Sequence, residues 1–439
     1  MIFEERNIED LVAQCRLAEA SAALALADTE GAPHSEKLRA MRAGVHALAG
    51  EDRLLARVVP PELLECRNAA DIASYYEATN AQPDVYDHFA AAALLAWTPD
   101  AEGVYASLQR AHVGAVGERR QFLAVAARER LAHFALLFGN VARAGAAIEE
   151  AIALAVAERC SSWLLRCLAA AARLALDCGD AERAANLLAR AHAEGPPAQD
   201  LALFAATGAA LAVERGDGDA LRAWTSPAVL DVALHCDRPE AIISAALATL
   251  IGSVPEPPDS AVTTALRRAI LQTESAAIAP ELCSISARYG DFDTARFAVE
   301  TLAATLAPKG PYLAAHHLLG RAHLLFRSGD GAWIDCAGDA ARAFNAMGLR
   351  RWTNEAMQLL VTQELSQDRR SRGRHDATLL TGREQQVAHL IRRGARNREV
   401  ALALQISEHT VERHVSSILG RLGLRSRWQI GDSRKNNEH

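Results

Sequence analysis

Residues 131–138 and 163–176 are apolar segments with helical character, each followed by a Gly-Asn or Gly-Asp pair and then by an amphipathic stretch of helical period. Aligning the small residues gives Gly139-Asn140 with Ala144 and Ala151, and Gly179-Asp180 with Ala184 and Ala191, a shared spacing of G-x4-A-x6-A. This is the pattern of a helix, a tight turn and a second helix: glycine supplies the turn, and the alanines let the second helix lie close to its neighbours. Further Gly-Asp pairs at 216–217, 290–291 and 329–330 give intervals of 40, 37, 74 and 39 residues, the longest covering two units. One hairpin cannot hide its apolar face, whereas stacked hairpins can. The expected fold is therefore all-α, with an α-solenoid of helical hairpins over residues 101–365. An irregular helical bundle, in which Gly-Asp merely marks helix ends, is the alternative. Residues 1–100 also read as helical, with Pro60-Pro61 and Gln82-Pro83 as breakers, but carry no repeat in register.

The hairpins resemble tetratricopeptide-type repeats, although the aromatic signature positions are mostly missing and the period exceeds the 34 residues of that repeat. Composition agrees with a helical body. Half of the 439 residues are hydrophobic but only 5% are aromatic, so Ala and Leu, both good helix formers, carry the apolar total. A chain of this length implies two to four units.

Glu4, Glu5, Glu9 and Asp10 occupy the start, where a signal peptide would carry Lys or Arg, and no export signal is read. The longest uncharged runs, 201–213 and 241–255, are too short to span a bilayer. The eight cysteines are scattered without a C-x-x-C pair, which suits reduced thiols. The expectation is a cytoplasmic protein with no membrane contact.

Charge is divided unevenly. From Ser366 onward there are 15 Lys and Arg against 8 Asp and Glu, and before it 32 against 46. A basic tail on an acidic body confines any nucleic-acid contact to the C-terminal end. Between Asp368 and Asp376 no apolar residue occurs, so residues 366–378 read as a basic linker, or as the exposed end of the preceding helix in their first few positions.

Beyond the linker the pattern gives three short helices. Thr381 and Glu384 have the T-x-x-E form of a capping box, ahead of a helix with Val387, Leu390 and Ile391 on one face. Gly394 ends it, and a second helix over 397–404 buries Val400, Ala401 and Leu404. A turn through Gln405 and Ile406 leads to Ser407 as the next N-cap. In the third helix Val411, Val415, Ile418 and Leu422 share a narrow arc at 100° per residue. Facing them to the core points His409, Arg413, Ser416, Ser417 and Gly420 outward, with Thr410 and Glu412 on the flanks. Short polar side chains and one Arg on that face can approach base edges closely.

This segment resembles the C-terminal helix-turn-helix domain of LuxR-type transcriptional regulators. The matching residues are Leu380, Thr381, Arg383, Glu384, Gly394, Asn397, Glu399, Ala401, Leu404, Ser407, Thr410, Val411, His414, Ile418, Leu422, Gly423, Ser426 and Arg427. The resemblance implies a four-helix DNA-binding domain over residues 379–439, with the third helix in the major groove and a fourth, starting near Ser426, pairing subunits. The candidate DNA-contact set is Thr381, Asn397, Arg398, Ser407, His409, Thr410, Val411, Glu412, Arg413, His414, Ser416, Ser417 and Arg421. Arg398 and Arg421 suit phosphate, and His414 is either a phosphate ligand or a packing residue. Two departures stand out: Glu412 replaces the usual base after Thr-Val, and Arg396 replaces the usual cap before Asn397. The polar run after Ile430 does not extend an apolar fourth helix, which weighs against pairing through it.

The whole chain resembles MalT-like regulators without their ATPase, since no G-x-x-x-x-G-K-[S/T] occurs. His316, His317 and His323 form the densest histidine group but lie in an apolar helix with no carboxylate near them and no H-E-x-x-H pattern, so a core or surface role is expected. No enzyme activity and no cofactor are expected. The reading is a sequence-specific transcriptional regulator whose partners are double-stranded DNA and a small-molecule or protein effector on the repeats. RNA polymerase and a second copy of the chain are further candidates. A helical adaptor with a vestigial DNA-binding domain is the alternative.

Overall fold

The computed structural model describes residues 5–14, 16–29, 36–49, 52–79, 82–96, 98, 100–235, 239–252, 279–306, 310–371, 380, 382–392, 395–404, 406–422, 426–427 and 430. Among these the secondary structure is helical throughout, without a strand. The all-α expectation holds.

The most regular part of the body begins after residue 100. Helices α1 (Ala101–Gly117), α2 (Gln121–Leu137), α3 (Val141–Ala157) and α4 (Ser161–Asp177) are each 17 residues long and start every twenty residues. The turns between them share one geometry. Arg120, Asn140, Cys160 and Asp180 donate their backbone N–H to the carbonyls of Ala115, Ala135, Ala155 and Ala175 at 2.8–2.9 Å. The residue before each donor is left-handed: Arg119 (φ 59°), Gly139 (76°), Arg159 (56°) and Gly179 (79°). This is the Schellman C-cap, which satisfies the last free carbonyls of a helix.

The Gly-Asn and Gly-Asp pairs do two things at once. Gly139 and Gly179 occupy the left-handed position without strain, while the side chains of Asn140 and Asp180 accept from the backbone N–H of Arg143 and Arg183 and cap the next helix. The alternate turns, through Arg119 and Arg159, have no side-chain cap for α2 and α4. Only the glycine half of the repeat is visible in the sequence spacing. The Ala positions of the G-x4-A-x6-A spacing are buried as expected: Ala144, Ala151, Ala184 and Ala191 are all at most 1% exposed.

The strict series ends at α5 (Ala181–Ala193), where Gly195 is again left-handed but Pro196 has no N–H for the second bond. Helix-on-helix packing continues through α6 (Ala205–Arg215), α7 (Pro239–Gly252), α8 (Ala279–Tyr289), α9 (Phe292–Leu306), α10 (Pro311–Ser328) and α11 (Trp333–Met347). Gly216 and Gly329 are left-handed C-caps, and Asp217 and Asp330 cap the following turn. Gly290 stays out of the left-handed region, although Asp291 still accepts from the Thr294 N–H at 2.8 Å. Part of the double interval between Gly216 and Gly290 falls on residues 253–278, outside the described residues.

Helices over residues 5–95 join the same body. One continuous apolar cluster runs from Ile8 to Ala356, and the Trp163 indole of α4 donates to the Val12 carbonyl at 2.9 Å. The core therefore passes without a break across residue 100.

The connection to the C-terminal part is the long helix α12 (Arg350–Ser371). Trp352 and Ala356 lie in the body's core, Val361 belongs to a second core that continues into residues 387–430, and Met357 touches both. The expected linker of residues 366–378 is thus helical to Ser371, and 372–378 lie outside the described residues. Of the cysteines, those at 15 and 236 lie outside the described residues, and the six described ones are free thiols.

Candidate nucleic-acid interface

Among the described residues the C-terminal domain is built on α13 (Gly382–Arg392), α14 (Asn397–Leu404) and α15 (Glu408–Leu422), and Arg427 and Ile430, where the fourth helix is expected, are helical as well. Val387, Leu390, Val400, Val411, Ile418 and Ile430 are completely buried between them. The helical spacing read from α15 therefore places Val411 and Ile418 correctly, whereas Val415 is only half-buried and the side chain of Leu422 lies outside the described residues.

Polar side chains lock the three helices together. Arg383 donates to Gln386 Oε1 at 2.8 Å and to the Leu404 carbonyl at 2.5 Å, closing the start of α13 onto the end of α14, where free carbonyls favour a cation. The buried Glu384 accepts from the Ser417 hydroxyl at 2.5 Å. Ser407 Oγ accepts from the Thr410 N–H at 3.1 Å, the N-cap expected for α15. Arg396 supplies no side-chain cap to α14. Glu399 instead accepts from its backbone N–H at 2.7 Å, half of a capping box. Arg427 donates to Asn397 Oδ1 and to the Ala395 carbonyl, and Arg392 Nε donates to the Ile430 carbonyl at 3.3 Å.

Several candidate contact residues take other roles. Ser417 is half-buried and bonded to Glu384, so it faces α13 and not the solvent. A wheel drawn for α15 alone carries no information about which flank its neighbour crosses. Val411 is fully buried and holds the helix in place without reaching a base. The side-chain oxygen of Asn397 is engaged by Arg427, which ties α14 to the end of the domain. Thr381, Gly394, Gln405, Gly423 and residues 431–439 lie outside the described residues. Arg421 is helical, but its side chain is not described.

What remains outward is a coherent surface. His409, Glu412, Arg413, Ser416 and Gly420 are exposed on α15, with Ser407 at its N-terminus and Arg398 exposed on α14. Thr410 and His414 are half-buried on the flanks. His409 Nδ1 lies 3.8 Å from Glu412 Oε2, both side chains well exposed at 81% and 62%. Glu412 adjoins Arg413 in the chain, and Glu408 is exposed at the start of the same helix, so this surface is mixed in charge, and its cations lie on two helices instead of one. Sequence reading missed Arg383, Arg392 and Arg427 as organisers of the domain; each acts on a backbone carbonyl that only the fold brings near.

Two members of the histidine group, His316 and His323, take the core role expected of them, but a carboxylate does lie close by. His316 is fully buried with Nδ1 3.0 Å from the Ser284 hydroxyl, and Tyr312, Phe344 and Trp352 present their rings at 4.7, 4.9 and 4.5 Å. His323 does have a carboxylate partner: Glu355 Oε1, from α12, is 3.3 Å from its Nε2, and Glu355 also pairs with Arg288 at 2.8 Å. Burial alone would raise the Glu355 carboxyl, but Arg288, His323 and Arg351 together hold it well below the usual range.

Comparison with known proteins bears on the C-terminal domain. Residues 378–432 match the family described as bacterial regulatory proteins, luxR family. The end of the chain thus carries a LuxR-family helix-turn-helix, a DNA-binding module of transcription regulators. No curated protein sequence matches the chain. One solved structure is similar, a circular tandem repeat protein with novel repeat topology and enhanced subunit contact surfaces. It is 15% identical over 98% of this chain and 90% of that chain, with a TM-score of 0.15, a likeness that bears no weight for shape or function. Among the described residues no helix is long and apolar enough to cross a membrane.

Proposed function

We propose that this chain is a transcription regulator that recognises a specific duplex sequence through α15 and responds to an effector held by its helical body. The observation that carries the reading is the exposed face of α15. His409, Glu412, Arg413 and Ser416 project outward from a helix whose opposite side is anchored by Val411 and Ile418. Laid in a major groove, Arg413 has the reach and the fork geometry to bind guanine, and Glu412 can accept from a cytosine amino group. Thr410, with the capped N-terminus of α15, and Arg398 on α14 lie where the phosphate backbone would pass. The reading assigns the chain no catalysis. Contact with RNA polymerase, pairing with a second copy and action in the cytoplasm belong to the same proposal.

The test is selection of bound duplexes from a random pool by the purified full chain, followed by band-shift titration of the winner across a salt series. A specific regulator should prefer its site by roughly a thousandfold or more over bulk duplex, with affinity falling steeply as salt rises. Equal affinity for every duplex would favour the second reading, a helical adaptor with a vestigial DNA domain, for which the exposed carboxylates of Glu408 and Glu412 on α15 are the supporting observation.

A further inference from the structure

A cavity of about 120 Å³ lies in the body between α2, α3, α4, α6, α7 and α8. Its charged wall consists of Glu129, Arg130, Arg166, Arg173 and Glu281, and Leu136, Leu174 and Leu247 contribute to its apolar wall. Glu129 Oε1 accepts from Arg166 Nε at 3.3 Å, and Glu281 Oε1 lies 3.4 Å from Arg173 Nε and accepts from the Tyr312 hydroxyl at 3.3 Å. Arg130 is treated differently. Its side chain is 5% exposed, and although Glu129 Oε2 is 3.2 Å from its Nε, the two are not aligned as a hydrogen bond. Arg130 Nε and Nη2 are both buried without a hydrogen-bond acceptor.

Three guanidinium groups against two carboxylates leave this wall one positive charge in excess. His133, also on the wall, adds none at neutral pH, because burial lowers it to about 4. Leaving two donors of a buried guanidinium unmet is costly, and the cost falls when an acceptor arrives. Nε and Nη2 are the two donors on one edge of the guanidinium plane, the edge that meets both oxygens of a carboxylate in parallel. The volume is somewhat below the roughly 150 Å³ of a cavity that accommodates benzene, which limits the guest to about six non-hydrogen atoms. A phosphate dianion would bring more charge than the wall can balance and nothing for its apolar side.

We infer that the body holds a binding site for a short-chain monocarboxylate, its two oxygens on the Nε and Nη2 edge of Arg130 and its alkyl tail against the leucine wall. This rests on the effector reading above and gives that effector a chemical class. The site also has a physical link to the output helix. Tyr312, which donates to Glu281, lies 3.5 Å from Asp177, and Asp177 accepts from Arg351 of α12 at 3.1 Å.

Titration calorimetry of the full chain with sodium butyrate, butyramide and butylamine tests the assignment directly. Butyrate should bind one per chain in roughly the millimolar range or tighter, and the neutral amide and the amine at least about tenfold more weakly. Arg130→Met should cost butyrate about tenfold or more. Ala169→Leu, which fills the cavity without altering a charge, should abolish binding, and covers the case in which the Arg130 variant fails to fold. The inference is overturned if propionate and butyrate both give no heat, if butyramide binds as well as butyrate, or if the folded Arg130→Met or Ala169→Leu protein retains wild-type affinity. A parallel band-shift with and without butyrate separates the two readings: butyrate binding without change in DNA affinity leaves the site standing and removes its effector role. Loss of all specific DNA binding removes the regulator reading while the calorimetry still decides the site.

Discussion

At the scale of single residues the DNA-reading face depends on very few side chains. Arg413 is the one exposed Lys or Arg described on the outward side of α15, and with Glu408 and Glu412 exposed on the same helix, losing it removes the only Lys or Arg described there to offset their repulsion of phosphate. Arg413→Ala is therefore expected to weaken binding to the selected duplex by about 1–3 kcal/mol and to relax base preference at one position. Arg398→Ala should weaken all duplexes alike and reduce the dependence of affinity on salt by about one phosphate contact. Band-shift titrations of both variants on matched and scrambled duplexes distinguish the two effects; equal losses for Arg413→Ala on both duplexes would assign it to phosphate. A different residue contributes to the acid sensitivity of the body. His316 is pushed well below the ordinary histidine value by burial, so it is neutral when folded and takes up a proton on unfolding. Its contribution is present above about pH 6.5 and is lost progressively as the pH falls below that value. His316→Phe keeps the ring contacts, and Ser284 retains the Glu281 carbonyl at 3.4 Å. Urea unfolding between pH 7 and 4 should then show a shallower decline for the variant than for wild type, by up to about 1.4 kcal/mol per pH unit.

At the scale of elements the body from α1 to α5 is a helix-and-turn unit repeated every twenty residues, and its turns are of two kinds that differ in strain. Gly139 accepts the left-handed conformation freely, yet a Cβ there would stand 2.8 Å from Pro311 Cγ and 3.1 Å from Met347 Sδ. Gly139→Ala should cost about 2–3 kcal/mol, backbone strain and crowding together, while Gly329→Ala, with nothing within 4 Å, should cost only the backbone part of about 1 kcal/mol. Arg159, exposed and left-handed, runs the other way: Arg159→Gly should stabilise by up to about 1 kcal/mol, the relieved strain less the added freedom of the unfolded chain. Chemical denaturation of the three variants checks the ordering. The same contrast explains what could be read beforehand. Gly-Asp and Gly-Asn announce a turn because both residues have a conformational reason to be there. Arg119 and Arg159 announce nothing individually, and their turns show in the chain only as the recurring Ala-Val-x-Glu-Arg that ends at each of them. In the C-terminal domain, periodicity locates the anchors Val411 and Ile418, but it does not show the bonds of Ser417 and Asn397 within the domain, because their partners, Glu384 and Arg427, lie 33 and 30 residues away. The charged wall of the cavity was out of reach for the same reason, its members being spread from residue 129 to residue 281.

At the scale of the whole molecule, α12 decides how body and DNA domain are joined. A flexible tether after residue 366 would let the C-terminal domain fold as an independent bead. Instead the helix begins among body residues, with Trp352 fully buried and Arg351 paired to Asp177, and two turns later gives Val361 to the core of the DNA domain. Met357 packs on both sides. Part of the DNA domain's own core thus comes from the helix that leaves the body, so a shift of α12 would reach α13 and α14 through side-chain contact. A fragment beginning at Leu380 lacks Val361 and Met357, whereas one beginning at Arg350 keeps both. Burying a valine and part of a methionine is worth about 2–3 kcal/mol, a large share of the stability of so small a domain. The longer fragment should unfold in urea with a correspondingly higher stability, and Val361→Ala within it should remove about 1–2 kcal/mol of that gain. Equal stability of the two fragments would mean that α12 does not support the DNA domain, and the body could then influence it only through the position it imposes.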